Sequence, residues 1–209
     1  MFVPEKQELF KAMHYSRRTS NVLGLLPREM TGNPSIFSFL RLVSCTNVVL
    51  PTPHPNIIAI SSSGVTRAGH QKLPLLLKPF YGYLLAVPHA DKCGAEEILA
   101  YCAGWEWEAE DCPGAEVLGR DWKLDAELPI PATLKNVVVV RPALLTDGAC
   151  RADAWKEGEH ESNKGPYKFE EEDLAGRWTI SRKDVAHFVV EKVVRHWDDR
   201  KGKRVSVAY

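Results

Sequence analysis

Three consecutive serines end a short apolar segment, and their hydroxyls are the first groups along the sequence that could do chemistry. Residues 57–60 are apolar and bounded by proline and glycine, a pattern typical of a buried parallel strand. Ser61, Ser62 and Ser63 follow directly. Ligands of open α/β sheets bind beyond the carboxyl ends of the strands. We therefore expect these serines either to contact a ligand or to form the polar turn that commonly ends a strand.

The wider pattern predicts a parallel α/β sheet. NVVVVR, residues 136–141, is a second β-branched run, and Pro142 stops it. A helix beginning at 88–89 lies between the two runs, and such strand–helix alternation predicts a parallel sheet with right-handed crossovers. We expect 57–60 and 137–140 at the centre of the sheet, with helices on both faces.

Shorter patterns predict the remaining elements. Ser181 and Asp184 have the spacing of a capping box, and a helix with an apolar face follows them. Residues 203–209 alternate between polar and apolar and predict a last strand. Residues 144–148 are predicted to run into a turn, and the polar segment 149–177 to be loop.

The composition excludes several functions. The chain has 209 residues with 27 basic and 27 acidic side chains, so no net charge attracts nucleic acid. No apolar run is long enough to cross a membrane, and the N-terminus has no apolar signal core. Five cysteines without a CxxC pair favour reduced thiols over disulfides or a metal site. The sequence thus predicts a cytoplasmic protein without a nucleic-acid partner, a membrane partner or a metal.

Residues 104–133 form an acidic, tryptophan-rich insertion within the single domain predicted for 1–209. Acidic residues far outnumber basic ones in this segment, and three of its residues are tryptophans. Long insertions of this kind are usually functional or disordered. We expect a partly ordered surface flap, and its aromatic residues indicate a possible protein partner or self-association.

Four motifs in order resemble the short-chain dehydrogenase/reductase superfamily. They are AISSSGV at 59–65, HADKCGAEEIL at 89–99, NVVVVRPALLTDG at 136–148 and ISRKDVAHFVVE at 180–191. The chain is most similar to the atypical, NAD(P)H-binding group, which includes flavin-reductase-like enzymes and regulators like the nitrogen-metabolite repressor. Outside the acidic insertion, the resemblance covers roughly residues 20–209 and implies a Rossmann-type fold that binds NADP or NAD.

The resemblance also implies a set of site residues. Ser63 stands at the position of the family's catalytic serine, and Lys92 stands at that of its lysine. The family tyrosine, four residues before the lysine, is replaced by Pro88, which transfers no proton. His89, Tyr81 and Tyr83 are possible substitutes. The residues expected to contact the cofactor are Gly24, Ser62, Ser63, Lys92, Arg141, Pro142 and Leu144.

The family's glycine-rich phosphate loop is missing from the sequence. No G-x-x-G-x-x-G occurs, and Gly24 is isolated. Residues 21–27 match the fourth strand of the family by order, so the first βαβαβ portion is expected to be absent and the fold to be N-terminally incomplete.

Three functional hypotheses follow. The first is an atypical oxidoreductase that acts on a small hydrophobic or aromatic metabolite, with Ser63 and Lys92 facing one crevice near Arg141. The second is a non-catalytic NAD(P) sensor or protein-binding module of the same fold, and the third is a truncated remnant. An alternative for Lys92 is an exposed helix lysine paired with Glu96, because i,i+4 neighbours interact on a helix surface. Glu96 and Glu97 are likewise expected to be surface charges.

Overall fold

The computed structural model describes residues 56–209 except 74, 77, 84, 126–127, 156–164 and 172. Gly24 and the segment 21–27 lie outside the described residues. Within them, six strands form one four-stranded and one two-stranded sheet. The strands are β1 (Ile57–Ile60), β2 (Val137–Pro142), β3 (Leu144–Thr146), β4 (Lys168–Glu171), β5 (Thr179–Ser181) and β6 (Arg204–Ala208).

The larger sheet has the order β1-β2-β6-β4. The first three strands are parallel, with Ile57 opposite Val137 and Val140 opposite Val205. β4 runs antiparallel to β6 at the edge. The prediction that 57–60 and 137–140 are strands of one parallel sheet is therefore confirmed, and the central position predicted for 57–60 stays a prediction. β2 lies inside the sheet, while β1 has a single strand neighbour among the described residues.

Seven α-helices connect the strands in the described part of the chain. The longest, α3, carries Lys92, and its 18 residues run along one face of the sheet. The helices are α1 (Arg67–Lys72), α2 (Lys78–Tyr83), α3 (Ala86–Ala103), α4 (Ala115–Leu118), α5 (Arg151–Ala154), α6 (Arg182–Phe188) and α7 (Trp197–Arg200). A π-helical segment, Val189–Val194, continues α6. No described helix combines the length and apolarity needed to cross a membrane.

Alternate residues of β2 face two separate cores. Val137 and Val139 pack with Ile98 of α3, whereas Val138 and Val140 pack with Phe188 of α6. A parallel strand buried on both faces reads as a continuous apolar run, because successive side chains point to opposite sides. The prediction of helices on both faces is thus confirmed.

Two segments differ from the sequence predictions. Residues 144–146, predicted to run into a turn, form β3, which pairs in parallel with β5. The polar segment 149–177, predicted as loop, contains α5 and the edge strand β4. β4 was missed because Phe169 is its one apolar residue and three of its four residues are exposed.

The acidic insertion contributes to the core as well as to the surface. Leu118 of α4 is buried in the cluster on the α3 face, and Trp105 and Trp122 pack against that cluster. Short 3₁₀ turns lie at Ala109–Asp111 and Trp122–Leu124. The tryptophans therefore anchor this segment on the sheet, and part of it is ordered by burial.

The predicted capping box is confirmed. Ser181 is the N-cap of α6, and its hydroxyl accepts from the Asp184 backbone N–H at 3.0 Å. The same hydroxyl lies 2.8 Å from a carboxylate oxygen of Asp184. Asp184 also accepts from the backbone N–H groups of Arg151 and Ala152 at the start of α5, so one carboxylate ties two helix ends together.

Two buried serines should respond differently to loss of the hydroxyl. We expect Ser181→Ala to lower the free energy of unfolding by about 1–2 kcal/mol, because an N-cap is lost. Ser206→Ala should leave stability unchanged or raise it, because the buried Ser206 hydroxyl has no hydrogen-bond partner among the described residues. Urea denaturation of both variants tests this, and equal losses would contradict the capping role.

Candidate active site

The serine turn lies at the carboxyl end of β1 and is fastened to the end of β2. The Ser63 hydroxyl donates to the Arg141 carbonyl at 3.1 Å, and its backbone N–H donates to the Pro142 carbonyl at 2.9 Å. Gly64 follows with φ of 77°, where a Cβ atom would lie 2.7 Å from Leu73. Only glycine fits this position without strain. The Ser63 hydroxyl is therefore held against the neighbouring strand.

Lys92 faces this turn from α3. Its side chain is half-buried, and Nζ donates to the Ser61 carbonyl at 3.3 Å. Burial lowers the pKa of Lys92, although the nearby Glu96 and Asp91 carboxylates act in the opposite direction. This geometry contradicts the alternative of an exposed helix lysine. The ammonium group therefore lies at the serine turn, and the catalytic roles of Ser63 and Lys92 stay predictions.

Glu96 and Arg141 form an ion pair beneath the turn, with side chains 2% and 4% exposed. Arg141 Nη2 lies 2.6 Å from Glu96 Oε2, and its Nε lies 3.1 Å from both carboxylate oxygens. Arg141 was predicted to contact a cofactor, but its guanidinium is enclosed among protein carboxylates. Glu96 and Glu97 are both buried, so the prediction that they are surface charges is wrong.

Asp173 extends the ion pair to a third part of the chain. Its Oδ1 lies 3.4 Å from Arg141 Nη1, and its Oδ2 accepts from the Thr66 hydroxyl at 3.3 Å. That hydroxyl in turn accepts from the Gly69 backbone N–H and caps α1. The buried network of Thr66, Asp173, Arg141 and Glu96 thus joins the start of α1, the segment before β5, the end of β2 and α3.

His89 lies three residues before Lys92, on the first turns of the same helix. Its pKa is lowered to about 4, chiefly by burial and then by the Lys92 charge, with a smaller contribution from His70. A hydrogen bond with the Gly64 backbone acts against this shift. The imidazole is therefore neutral near pH 7. His89 is half-buried, and its ring lies close enough to the serine turn to bond the Gly64 backbone.

A cavity of about 220 Å³ lies beside His89. Apolar or weakly polar side chains line part of it, namely Val65, Ala90, Cys93 and Pro113. Arg67, Glu110 and Asp111 complete the lining, and Arg67 and Glu110 form an exposed ion pair. The Cys93 thiol donates to the Asp111 carbonyl at 3.0 Å, and burial raises its pKa to about 12. The thiol is therefore not a nucleophile near neutral pH.

The other predicted site residues lie nearby with different roles. Ser62 is half-buried in the turn, and Pro142 is buried with its carbonyl bound to Ser63. Leu144 belongs to β3, where its backbone N–H bonds the Trp178 carbonyl. Tyr83 is 86% exposed, which leaves it outside the crevice. Direct contacts thus link Lys92 to Ser61, and Ser63 to Arg141 and Pro142.

Sequence reasoning missed Glu96, Asp173 and Thr66. The sequence does contain a signal for Glu96. Residues 137, 139 and 141 lie on the same face of a buried strand, and a buried guanidinium at Arg141 needs a carboxylate partner. No comparable signal points to Asp173, which lies in an irregular segment. Among the described residues, no group of three His, Cys, Asp or Glu side chains could hold a metal ion.

Comparisons with known proteins identify a reductase as a sequence relative. No protein-family model matches the chain. Reductase pytE of Aspergillus terreus is 32% identical over 160 residues, which cover 76% of this chain and 49% of that protein. The chain therefore spans about half the length of this curated relative, and it is related in sequence to a reductase.

The chain is also similar to two solved structures from Veillonella parvula. An ethylated short-chain dehydrogenase/reductase is 13% identical with a TM-score of 0.44, covering 86% of this chain and 59% of its own. A second short-chain dehydrogenase/reductase, in complex with NADP, is 12% identical with a TM-score of 0.43, covering 85% and 58%.

Removing one partner of the buried ion pair should be costly. We expect Arg141→Met to lower the free energy of unfolding by about 3–5 kcal/mol, because Glu96 keeps a buried charge without its partner. The double variant with Glu96→Leu should recover most of this loss. Arg182→Met, which breaks an exposed pair with Asp147, should cost less than about 1 kcal/mol. Urea denaturation measures all three, and equal costs for the two arginines would refute the assignment.

The pKa of His89 should depend on Lys92. We expect it to rise from about 4 in Lys92→Met, because a nearby positive charge disfavours the imidazolium. It should stay below the usual 6.5, since burial remains. NMR titration of the His89 ring measures both values. An unchanged pKa would show that the two groups are not coupled.

Proposed function

We propose that this chain belongs to an NAD(P)-dependent reductase of the short-chain dehydrogenase/reductase type. The observation that carries the proposal is the contact of Lys92 Nζ with the Ser61 carbonyl, which brings the lysine to the serine turn at the carboxyl edge of the sheet. The 32% identity with a reductase supports it. In open α/β sheets, this edge is where ligands bind.

The described residues fit the nicotinamide end of such a cofactor. Lys92 can donate hydrogen bonds to ribose hydroxyls, and Ser62 offers a half-buried hydroxyl in the same turn. The Ser61 hydroxyl is buried without a hydrogen-bond partner among the described residues, as expected of a group that awaits a ligand. A bound nicotinamide supplies or accepts the hydride. The sequence holds no glycine-rich loop for the pyrophosphate, so the proposal concerns the nicotinamide end alone.

Arg141 acts on this site through position rather than contact. Its carbonyl holds the Ser63 hydroxyl, and its guanidinium holds Glu96, one turn after Lys92 on α3. Both halves of the site therefore depend on the end of β2. This division differs from the sequence prediction, in which Arg141, Pro142 and Leu144 contact the cofactor directly.

The substrate we propose is a small, uncharged hydrophobic or aromatic carbonyl compound. The cavity of about 220 Å³ beside His89 has Val65, Ala90 and Pro113 in its lining, and it is smaller than the usual drug-sized pocket. The Arg67 charge there is balanced by Glu110. The resemblance favours the atypical group of the superfamily. Four described cysteines are free thiols, which supports a reducing compartment such as the cytoplasm.

NADPH titration tests the proposal. We expect Lys92→Met to weaken binding by about tenfold or more, the value of a hydrogen bond from a charged donor. Lys135→Met is the matched control, because Lys135 Nζ also donates to a backbone carbonyl, that of Ala103, at 3.1 Å. Quenching of tryptophan fluorescence measures the affinity. Equal affinity in both variants, or no binding by the wild type at millimolar NADPH, would refute the proposal.

A second candidate is a non-catalytic NAD(P) sensor or protein-binding module. Four large apolar side chains favour it, because Leu75, Leu76, Tyr83 and Val87 are all strongly exposed within one short stretch. The two candidates differ in turnover. A reductase oxidises NADPH when aromatic aldehydes are supplied, whereas a sensor binds NADPH without consuming it. In this second candidate, the exposed apolar side chains bind a partner protein or a second copy of the chain.

A further inference from the structure

We propose that His89 exchanges a proton with the substrate oxygen, and that the cavity beside it holds the reacting end of the substrate. The inference rests on the proposed reductase function and adds the residue that performs the proton transfer. His89 lines the cavity together with Val65, Ala90 and Pro113. It also forms a hydrogen bond with the backbone of Gly64, the residue after the three serines, so it links the cavity to the serine turn.

The other polar groups of the cavity are less suited to this task. Cys93 donates to the Asp111 carbonyl, and its pKa of about 12 keeps the thiol protonated. The Arg67 guanidinium forms an ion pair with Glu110 and has only hydrogen-bond donors. Glu110 belongs to that exposed pair, and Asp111 accepts from the Arg67 backbone N–H at 2.7 Å. Among the described residues that line the cavity, we therefore assign the proton transfer to the imidazole of His89.

Ser63 is also unsuited to give a proton. Its hydroxyl hydrogen is directed to the Arg141 carbonyl, so the oxygen can accept a hydrogen bond but has no second hydrogen to donate. With its hydrogen engaged in this way, the Ser63 hydroxyl can only accept a hydrogen bond, so it can hold a substrate hydroxyl but not a substrate carbonyl. The proton that a carbonyl needs on reduction must then come from another group.

In our proposal, His89 supplies the proton that the substrate oxygen needs. A bound NADPH would supply a hydride to the carbonyl carbon, the π pair of the C=O bond would move to oxygen, and the oxygen would take the proton of the protonated His89 ring. The products are an alcohol, NADP⁺ and neutral imidazole, which solvent protonates again. In the reverse direction, neutral His89 accepts the hydroxyl proton while the hydride leaves. Burial and, to a smaller extent, the Lys92 charge lower the pKa of His89, which makes its imidazolium a strong proton donor.

A matched pair of ligands tests this geometry without turnover. 4-Nitrophenol carries a hydroxyl proton, whereas 4-nitroanisole has a methyl group in its place. In mildly acidic buffer the phenol keeps its proton and His89 stays neutral. We expect the wild type to prefer 4-nitrophenol by about tenfold, the value of one hydrogen bond. Isothermal titration calorimetry measures both affinities.

Two variants and one control complete the experiment. His89→Phe should bind both ligands equally, because the ring remains and its nitrogens are lost. Ala90→Leu should weaken both, since its side chain fills the cavity. His196→Phe, at an exposed position on the C-terminal side of α6, should keep the wild-type preference. Failure of the wild type to bind either ligand, or an unchanged preference in His89→Phe, would overturn the inference.

A kinetic readout separates this inference from the proposed function. Mixed with NADPH and 4-nitrobenzaldehyde, the wild type should reduce the aldehyde faster as the pH falls toward about 4, because the imidazolium becomes more populated. His89→Phe should lose this dependence while binding NADPH normally. If the wild type does not bind NADPH, the reductase function is refuted. Normal NADPH binding with an identical pH profile in His89→Phe refutes the role of His89 alone.

Discussion

The buried pairing of Arg141 with Glu96 is the interaction on which the site depends. Arg141 continues the face of β2 that Val137 and Val139 begin, so its guanidinium enters the core beneath α3. A buried charge is costly unless a partner satisfies it. Glu96 supplies that partner and fixes α3 against the end of β2. Lys92, one turn earlier on the helix, consequently lies over the serine turn.

Competition for Glu96 explains the electrostatics of the crevice. Lys92 and Glu96 have the i,i+4 spacing of a helix-surface ion pair. Glu96 instead forms three hydrogen-bond contacts with Arg141, and Lys92 donates to a backbone carbonyl that carries no net charge. Burial lowers the pKa of the neighbouring His89 most, and the positive charge of Lys92 lowers it further. Burial of the imidazole and the Lys92 charge thus act together to keep His89 neutral near pH 7.

The parts of the fold that the sequence reveals are those with uninterrupted local signals. The runs at 57–60 and 137–140 predict buried strands because both faces of each must be apolar. Ser181 and Asp184 predict a helix start because their side chains satisfy the backbone groups next to them. β4 carries no such signal, since an exposed antiparallel edge strand needs few apolar residues. Glu96 was misread because spacing alone does not say which face of α3 meets the sheet.

Sequence position also misled the assignment of Arg141 and His89: the first was predicted to contact the cofactor, and the second is the residue that borders the cavity. Sequence resemblance assigns roles by position along the chain, but hydrogen bonding depends on which atoms are already engaged. Arg141 stands where a cofactor contact is expected, yet carboxylates from two other segments surround its guanidinium. His89 stands at a helix start, where a histidine is usually a surface residue, yet it borders the cavity and the Gly64 backbone. Since the Ser63 hydrogen is directed to the Arg141 carbonyl, the serine has no hydrogen to give to a substrate carbonyl, and our proposal assigns the proton to the imidazole.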